Sequence, residues 1–355
     1  MRRHPADHRN ERSPTKSSIG SHGTRFGNRF SLITAWTRPR STSTLDPLLA
    51  ASYTAGGTAL LTLIAWGLRH TKDGTLPPVL AHRLDVLLRA EPDSQALAVI
   101  GRCMRQLRHQ APAWTAEHTE WLQPLAEPWR PARSWLRHGE PDNGVMAELA
   151  RTGLLAVLRA PDAEPALDKT WLALLDPVEP LGPPRDFLAD LAALDGGPEA
   201  VSALLSRLAF ATSHVDDPAQ IQRAIQLWQT ALDADLPGPA LAGTGRFAYT
   251  PQIPDEAWLE LTARTVERQQ DLNALEKVTA RAAQHLDSPH ALHIVAAALT
   301  VQQDRFRADE IQRQATSLLA ATTLKMSEPA NVLRTALINA GVVEAAKASP
   351  STRSC

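Results

Sequence analysis

The sequence predicts an all-α chain, a stack of helical hairpins that is solenoid-like in architecture and preceded by a disordered N-terminal tail. Three observations carry this. Apolar residues recur at helical spacing through most of the 355 residues, and short turn signals of Gly, Pro, Asp and Asn punctuate them. Ala and Leu dominate, which favours helix over strand. Nine Trp outnumber six Phe and two Tyr together, so large apolar side chains are concentrated at few positions. The length allows one long array or two to three compact domains.

Residues 1–44 read as a disordered basic tail, rich in Arg, Ser, Thr, Gly and His, with one apolar cluster from Phe30 to Trp36. Such a segment buries too little surface to offset its ordering entropy. Residues 1–46 hold nine Lys or Arg against Asp7, Glu11 and Asp46, a balance of +6 that leaves −7 of the overall −1 to the remainder. That remainder offers no broad electrostatic footprint for nucleic acid, which only the tail could engage.

Residues 47–68 carry no charge between Asp46 and Arg69. Two readings stand. The run is long enough for a membrane-spanning helix, with the basic tail keeping the N-terminus cytoplasmic, as in a single-pass inner-membrane protein. Pro47, Ser52, Thr54, Gly56 and Gly57 dilute its first half, however, and confine strong apolarity to Ala59–Leu68, a length that suits a buried core helix. The second reading is the main expectation. Cys103 and Cys355 form no framework of bridges, and so few cysteines suit a reducing, cytoplasmic setting.

From residue 70 onward, helices alternate with breaks at Asp73-Gly74, Ala111-Pro112, 139–144, 176–184 and 216–218. Asp217, Ser288 and Gly197 precede a first-turn proline, whose missing N–H costs nothing there. Between Gln220 and Leu232, the residues Ile221, Ala224, Ile225, Trp228 and Leu232 make one apolar stripe, opposite Gln222, Arg223, Gln226 and Gln229. Trp121, Trp135, Trp171, Trp228 and Trp258 sit beside aliphatic residues and are expected mostly between hairpins.

A leucine leading into a proline-bearing turn recurs at Leu88, Leu125, Leu158, Leu194, Leu232, Leu286 and Leu324, at intervals of 37, 33, 36, 38, 54 and 38. Intervals in the middle thirties match a helix-turn-helix-turn unit, whose open face the next unit covers. The outlying 54 is expected to mark an inserted loop. Residues 45–237 and 255–348 are thus expected as two hairpin arrays around an insertion loop at 238–254, with 349–355 disordered. The likeness to tetratricopeptide or HEAT arrays is architectural only.

No signature of chemistry is present. Gly243-Thr244-Gly245-Arg246 lacks the preceding strand and the lysine of a nucleotide loop, and reads as flexible loop. His290 and His293 fall on one helical face near His285, but a zinc site needs further ligands than Asp287 in the preceding turn. Asp216-Asp217 is explained by capping through Asp217. No catalytic residue, metal or cofactor is therefore expected. Binding is expected at the insertion, where Arg246, Phe247 and Tyr249 offer a cation and two rings, with Phe247 packing on the stack as the alternative. The function expected is a non-enzymatic interaction scaffold or adaptor with a protein partner. A membrane-tethered scaffold and a helical enzyme assembled from scattered residues are the alternatives.

Overall fold

The computed structural model describes residues 46–89, 94–125, 130–149, 151–301 and 305–342, all within one compact unit, Ser43–Cys355. The disorder expected of 1–44 and 349–355 lies outside the described residues. Among those described the fold is all-α, and the one β-type pairing is an isolated bridge between Lys72 and Thr75. Helices α1 (Pro47–Ser52) and α2 (Ala55–Arg69) are followed by α3 (Pro78–Arg89), α4 (Ser94–Arg102), α5 (Met104–Gln110), α6 (Pro112–Glu117), α7 (Thr119–Leu122) and α8 (Pro131–His138). Next come α9 (Asn143–Glu148), α10 (Arg151–Leu158), α11 (Glu164–Leu174), α12 (Pro184–Ala192), α13 (Gly197–Thr212) and α14 (Pro218–Asp233). The short α15 (Gly238–Leu241) runs into a 3-10 helix, Ala242–Tyr249. Helices α16 (Asp255–Val266), α17 (Leu275–Ala282), α18 (Pro289–Ala298), α19 (Arg305–Ala321) and α20 (Glu328–Asn339) follow.

Local chemistry sets these boundaries. Asp217 Oδ1 accepts from the Ala219 N–H (2.9 Å) ahead of Pro218, and Ser288 Oγ accepts from the Ala291 N–H (3.3 Å) ahead of α18. Each serves a donor that the helix itself leaves without a partner. Helix α14 buries the expected stripe, and Trp228 donates from Nε1 to Thr265 Oγ1 (3.1 Å) on α16. Trp135, Trp228 and Trp258 are fully buried, whereas Trp121 and Trp171 are half-buried.

Packing runs in chain order along two series. Helices α12, α14, α16, α18 and α20 each pack on the next. So do α4, α8, α11, α13, the 3-10 helix, α17 and α19. Among the described residues, side-chain hydrogen bonds that reach beyond a helix and its flanking turns join residues 26 to 43 apart, with two exceptions: Asp46–His138, 92 apart, and Ser206–Asn273, 67 apart.

Residues 47–68 do not form one helix. Asp46 caps α1 through bonds from the Leu48 and Leu49 N–H groups, the chain breaks at Tyr53, and Thr54 Oγ1 accepts from the Gly57 N–H (3.1 Å) to start α2. A Cβ on Gly57 would stand 2.1 Å from the Ala51 carbonyl oxygen, so the fold-back depends on glycine. At 15 residues α2 is about 22 Å long, short of the roughly 30 Å of a bilayer core. Among the described residues no helix is long and apolar enough to cross a membrane. One face of α2 is buried through Gly57, Leu60, Ile64 and Gly67.

The structure also explains the outlying interval differently. Leu88, Leu125, Leu158, Leu194 and Leu232 lie at or just beyond the ends of α3, α7, α10, α12 and α14, each of which leads into a member of the second series. Leu286 and Leu324 instead follow α17 and α19, which belong to that second series. The marker changes helix at the long interval. Residues 238–249, expected as an insertion loop, are helical and take the second-series position between α13 and α17.

Candidate functional site

The segment from α15 to α16 is built from small residues that let backbones touch. A Cβ on Gly243 would lie 1.9 Å from the Ser202 carbonyl oxygen of α13, and one on Gly245 would lie 2.1 Å from that of Asn273. These glycines are close-packing positions between α13 and the start of α17, not hinges of a flexible loop. Asn273 fastens the junction, its N–H donating to the Ala242 carbonyl (2.9 Å) and its Nδ2 to Ser206 Oγ (3.1 Å).

Arg281 closes the other end. Its buried guanidinium donates to the carbonyls of Phe247 (3.2 Å), Thr250 (2.9 Å) and Ile253 (2.8 Å) and to Asp255 Oδ1 (2.8 Å), and it lies 4.5 Å from the centre of the Trp258 ring. The Phe247 and Thr250 carbonyls also accept from the Thr250 (3.0 Å) and Ile253 (3.3 Å) N–H groups, so one planar donor set ties successive bends of the turn together. The hydrogen bond from Arg281 holds the Asp255 carboxyl below its ordinary range, against a smaller opposing effect of burial.

The three residues expected to bind part company. Phe247 is 0% exposed and stacks on Trp228 with ring centres 4.7 Å apart, so it belongs to the core. Arg246 is exposed and makes no side-chain hydrogen bond or ion pair among the described residues, and Tyr249 is 44% exposed. Three residues apart in a 3-10 helix, these two lie one above the other on its outer side. Phe210, 59% exposed near the end of α13, follows Ala209, whose carbonyl accepts from Thr250 Oγ1 (3.3 Å). Among the described residues Lys277, exposed on α17, has no side-chain partner. The Phe210 ring is itself backed by His214, whose Nδ1 faces the Phe210 carbonyl oxygen at 2.8 Å.

Other candidates resolve as structure. Asp217 caps α14 while Asp216 is exposed. His285 lies 3.6 Å from Asp255 Oδ2, His290 is exposed, and His293 is half-buried on α18. Among the described residues no three His, Cys, Asp or Glu side chains are grouped to hold a metal ion. A polar tie that the sequence hid joins α3 to α6: Trp114 Nε1 donates to Asp85 Oδ1 (2.9 Å), and the buried His118 places Nε2 3.0 Å from the same oxygen. A shallow cleft between α5, α7 and α9 has Met104, Leu107, Leu122 and Val145 as its floor, and the Arg108–Glu148 ion pair (2.8 Å) at its rim.

Lys169 is the most perturbed amine. Burial pushes its ammonium down to about 8, against a partial opposing effect of Asp168, while Nζ donates to the Leu136 carbonyl (2.8 Å) at the end of α8. Cys103 is pushed up to about 11 by burial, which makes it an inert thiol. No known protein-family model matches this chain, and no curated protein or solved structure is similar to it.

Proposed function

We propose that this chain is a protein-binding scaffold, a stack of helical hairpins that grips a partner along neighbouring hairpins rather than transforming a substrate. The observation that supports this most directly is the spacing of the cross-element hydrogen bonds, which tie residues about one hairpin apart. Helices tied in that way present successive side chains along one continuous surface, the geometry by which hairpin stacks bind extended partners. Several of the least exposed ionisable groups hold neighbouring elements together. Arg281 serves four acceptors, Lys169 closes α8, and Asp85 joins Trp114 and His118.

The excess of acidic over basic residues after Asp46 favours a protein over a nucleic acid as partner. The test uses the tagged full chain. Native pull-down followed by light scattering of the isolated complex should give a partner at fixed stoichiometry, and hydroxyl-radical footprinting should show protection on consecutive helices. Recovery of no stoichiometric partner, combined with turnover of a small molecule by the pure protein, would remove the scaffold reading in favour of a helical enzyme.

A further inference from the structure

We infer that the exposed face of α2 lies against an anionic lipid surface, held there by the cations that precede and follow it in the chain. This attachment goes beyond the scaffold reading and does not depend on it.

Helix α2 buries Gly57, Leu60, Ile64 and Gly67 and exposes Ala55, Thr58, Thr62, Ala65 and Trp66 on the opposite side. The exposed residues recur at i, i+3, i+7, i+10 and i+11, so one face of one helix carries them all. Half-buried Leu61 and Leu63 run along its two edges. Helices α14 and α16 expose amides or charges instead, Gln222, Gln226 and Gln229 on the one and Glu256, Glu260 and Glu267 on the other. On α2 the first charge is Arg69, one turn after Trp66. The Trp66 ring is 45% exposed and stacks on His70 with ring centres 4.7 Å apart. Arg69 and Lys72 are exposed and make no side-chain hydrogen bond or ion pair among the described residues.

Charge selects the occupant. Residues 1–89 hold thirteen Lys and Arg against five Asp and Glu, whereas residues 90–355 hold twenty-four against thirty-three. Two of those five acids are already engaged: Asp46 by Arg137 (3.2 Å) and His138 (3.0 Å), and Asp85 by Trp114 Nε1 (2.9 Å). An anionic surface therefore attracts the part of the chain that contains α2 and repels the remainder. Two copies meeting through α2 would instead bring like charges together. A nucleic acid would find no cation between Asp46 and Arg69 to meet its phosphates. The Trp66 indole suits the boundary between headgroups and acyl chains. Exposed Ala and Thr add little apolar burial, so attraction between the cations and acidic headgroups has to supply most of the binding.

The test is flotation of the full chain with phosphatidylcholine vesicles, plain or carrying about 30% phosphatidylserine, at salt from about 50 to about 500 mM. Binding is expected to the serine-bearing vesicles alone, and to fall at least about tenfold across that salt range. Thr62→Glu, in the middle of the face, is expected to weaken it at least about tenfold and Trp66→Ser severalfold, with circular dichroism unchanged. Gln226→Glu on α14 makes the same change of charge elsewhere and should leave binding unaltered. Replacing Arg25, Arg29, Arg38 and Arg40 by Gln should weaken binding and flatten its salt dependence. Equal binding to both kinds of vesicle, binding to neither, or equal losses from Thr62→Glu and Gln226→Glu would overturn the inference. Capture of duplex DNA in place of vesicles would assign the cations to nucleic acid, and a dimer dispersed by Thr62→Glu would assign the face to a second copy; either result overturns it too. The scaffold reading survives all of these, because the protein partner recovered by pull-down decides it separately.

Discussion

Two buried cations, Lys169 and Arg281, perform the same task in different regions of the molecule with different success. Each lies over a buried tryptophan, Lys169 5.7 Å from the ring centre of Trp135 and Arg281 4.5 Å from that of Trp258, and each donates to carbonyls where an element ends. Lys169 finds one carbonyl, at the end of a regular α-helix, and its burial drives its proton affinity down. Arg281 finds three carbonyls and a carboxylate around a turn that follows a 3-10 helix. A regular helix end needs one extra donor, but an irregular segment needs a fixed fork of donors, which guanidinium supplies and ammonium does not.

The largest break in this comparison is expected from Arg281→Met. Removing the guanidinium leaves the Ile253 carbonyl without its donor and takes the second donor from those of Phe247 and Thr250, and should cost about 3 kcal/mol in chemical denaturation. Arg281→Lys should recover less than half of that loss. Hydrogen exchange should show the damage first in residues 242–254. A loss below about 1 kcal/mol would mean that water replaces the guanidinium there, and that the 3-10 segment is held by its glycine contacts alone.

Those contacts give the next effect. Gly243→Ala places a methyl group against the Ser202 carbonyl of α13, a backbone atom with no side-chain freedom to yield, and should cost about 2 kcal/mol. Gly196→Ala has open space around it but a φ of +69°, so its cost should be only about 1 kcal/mol, from backbone strain. Equal losses in the two variants would show that α13 can move away from the 3-10 helix and that the close approach at Gly243 is not what places it.

The same contrast explains what the sequence revealed. The regular region was legible because its helices carry the stripes and caps that sequence displays: Asp217 before Pro218, Ser288 before Pro289, and the run from Ile221 to Leu232. The segment 238–254 was not, because glycine and proline read as loop when judged locally, and their reason lies in Ser202 and Asn273, about 40 and 30 residues away. The leucine marker deepened the error by passing from α14 to α17, so that an occupied position in the packing order looked like an insertion. Of the residues expected to bind, Phe247 was lost to the core through Trp228, a contact across 19 residues that no periodicity announces. Arg246 and Tyr249 reached the surface because a 3-10 helix returns to the same side every third residue.

The smallest effect separates the two cations by pH. Burial has lowered Lys169 to about 8 from an ordinary 10.5. Below about 8 both folded and unfolded chains hold the proton, and the cost of burying the charge is constant. Between about 8 and 10.5 the unfolded chain keeps a proton that the folded chain has released, so the contribution of this site to stability rises with pH across that window. Denaturation midpoints of the parent chain and Lys169→Met, measured at pH 7, 8, 9 and 10, should therefore draw apart in favour of the parent as pH rises. At pH 7 Lys169→Met should differ little from the parent or exceed it, because a buried charge replaced by an apolar side chain of similar length loses little. The same series with Arg281→Met should show a constant gap, since arginine keeps its charge throughout this range. A gap for Lys169→Met that stays flat from pH 7 to 10 would mean that the ammonium remains charged beneath α8, and that one carbonyl and the Trp135 ring suffice to hold it there.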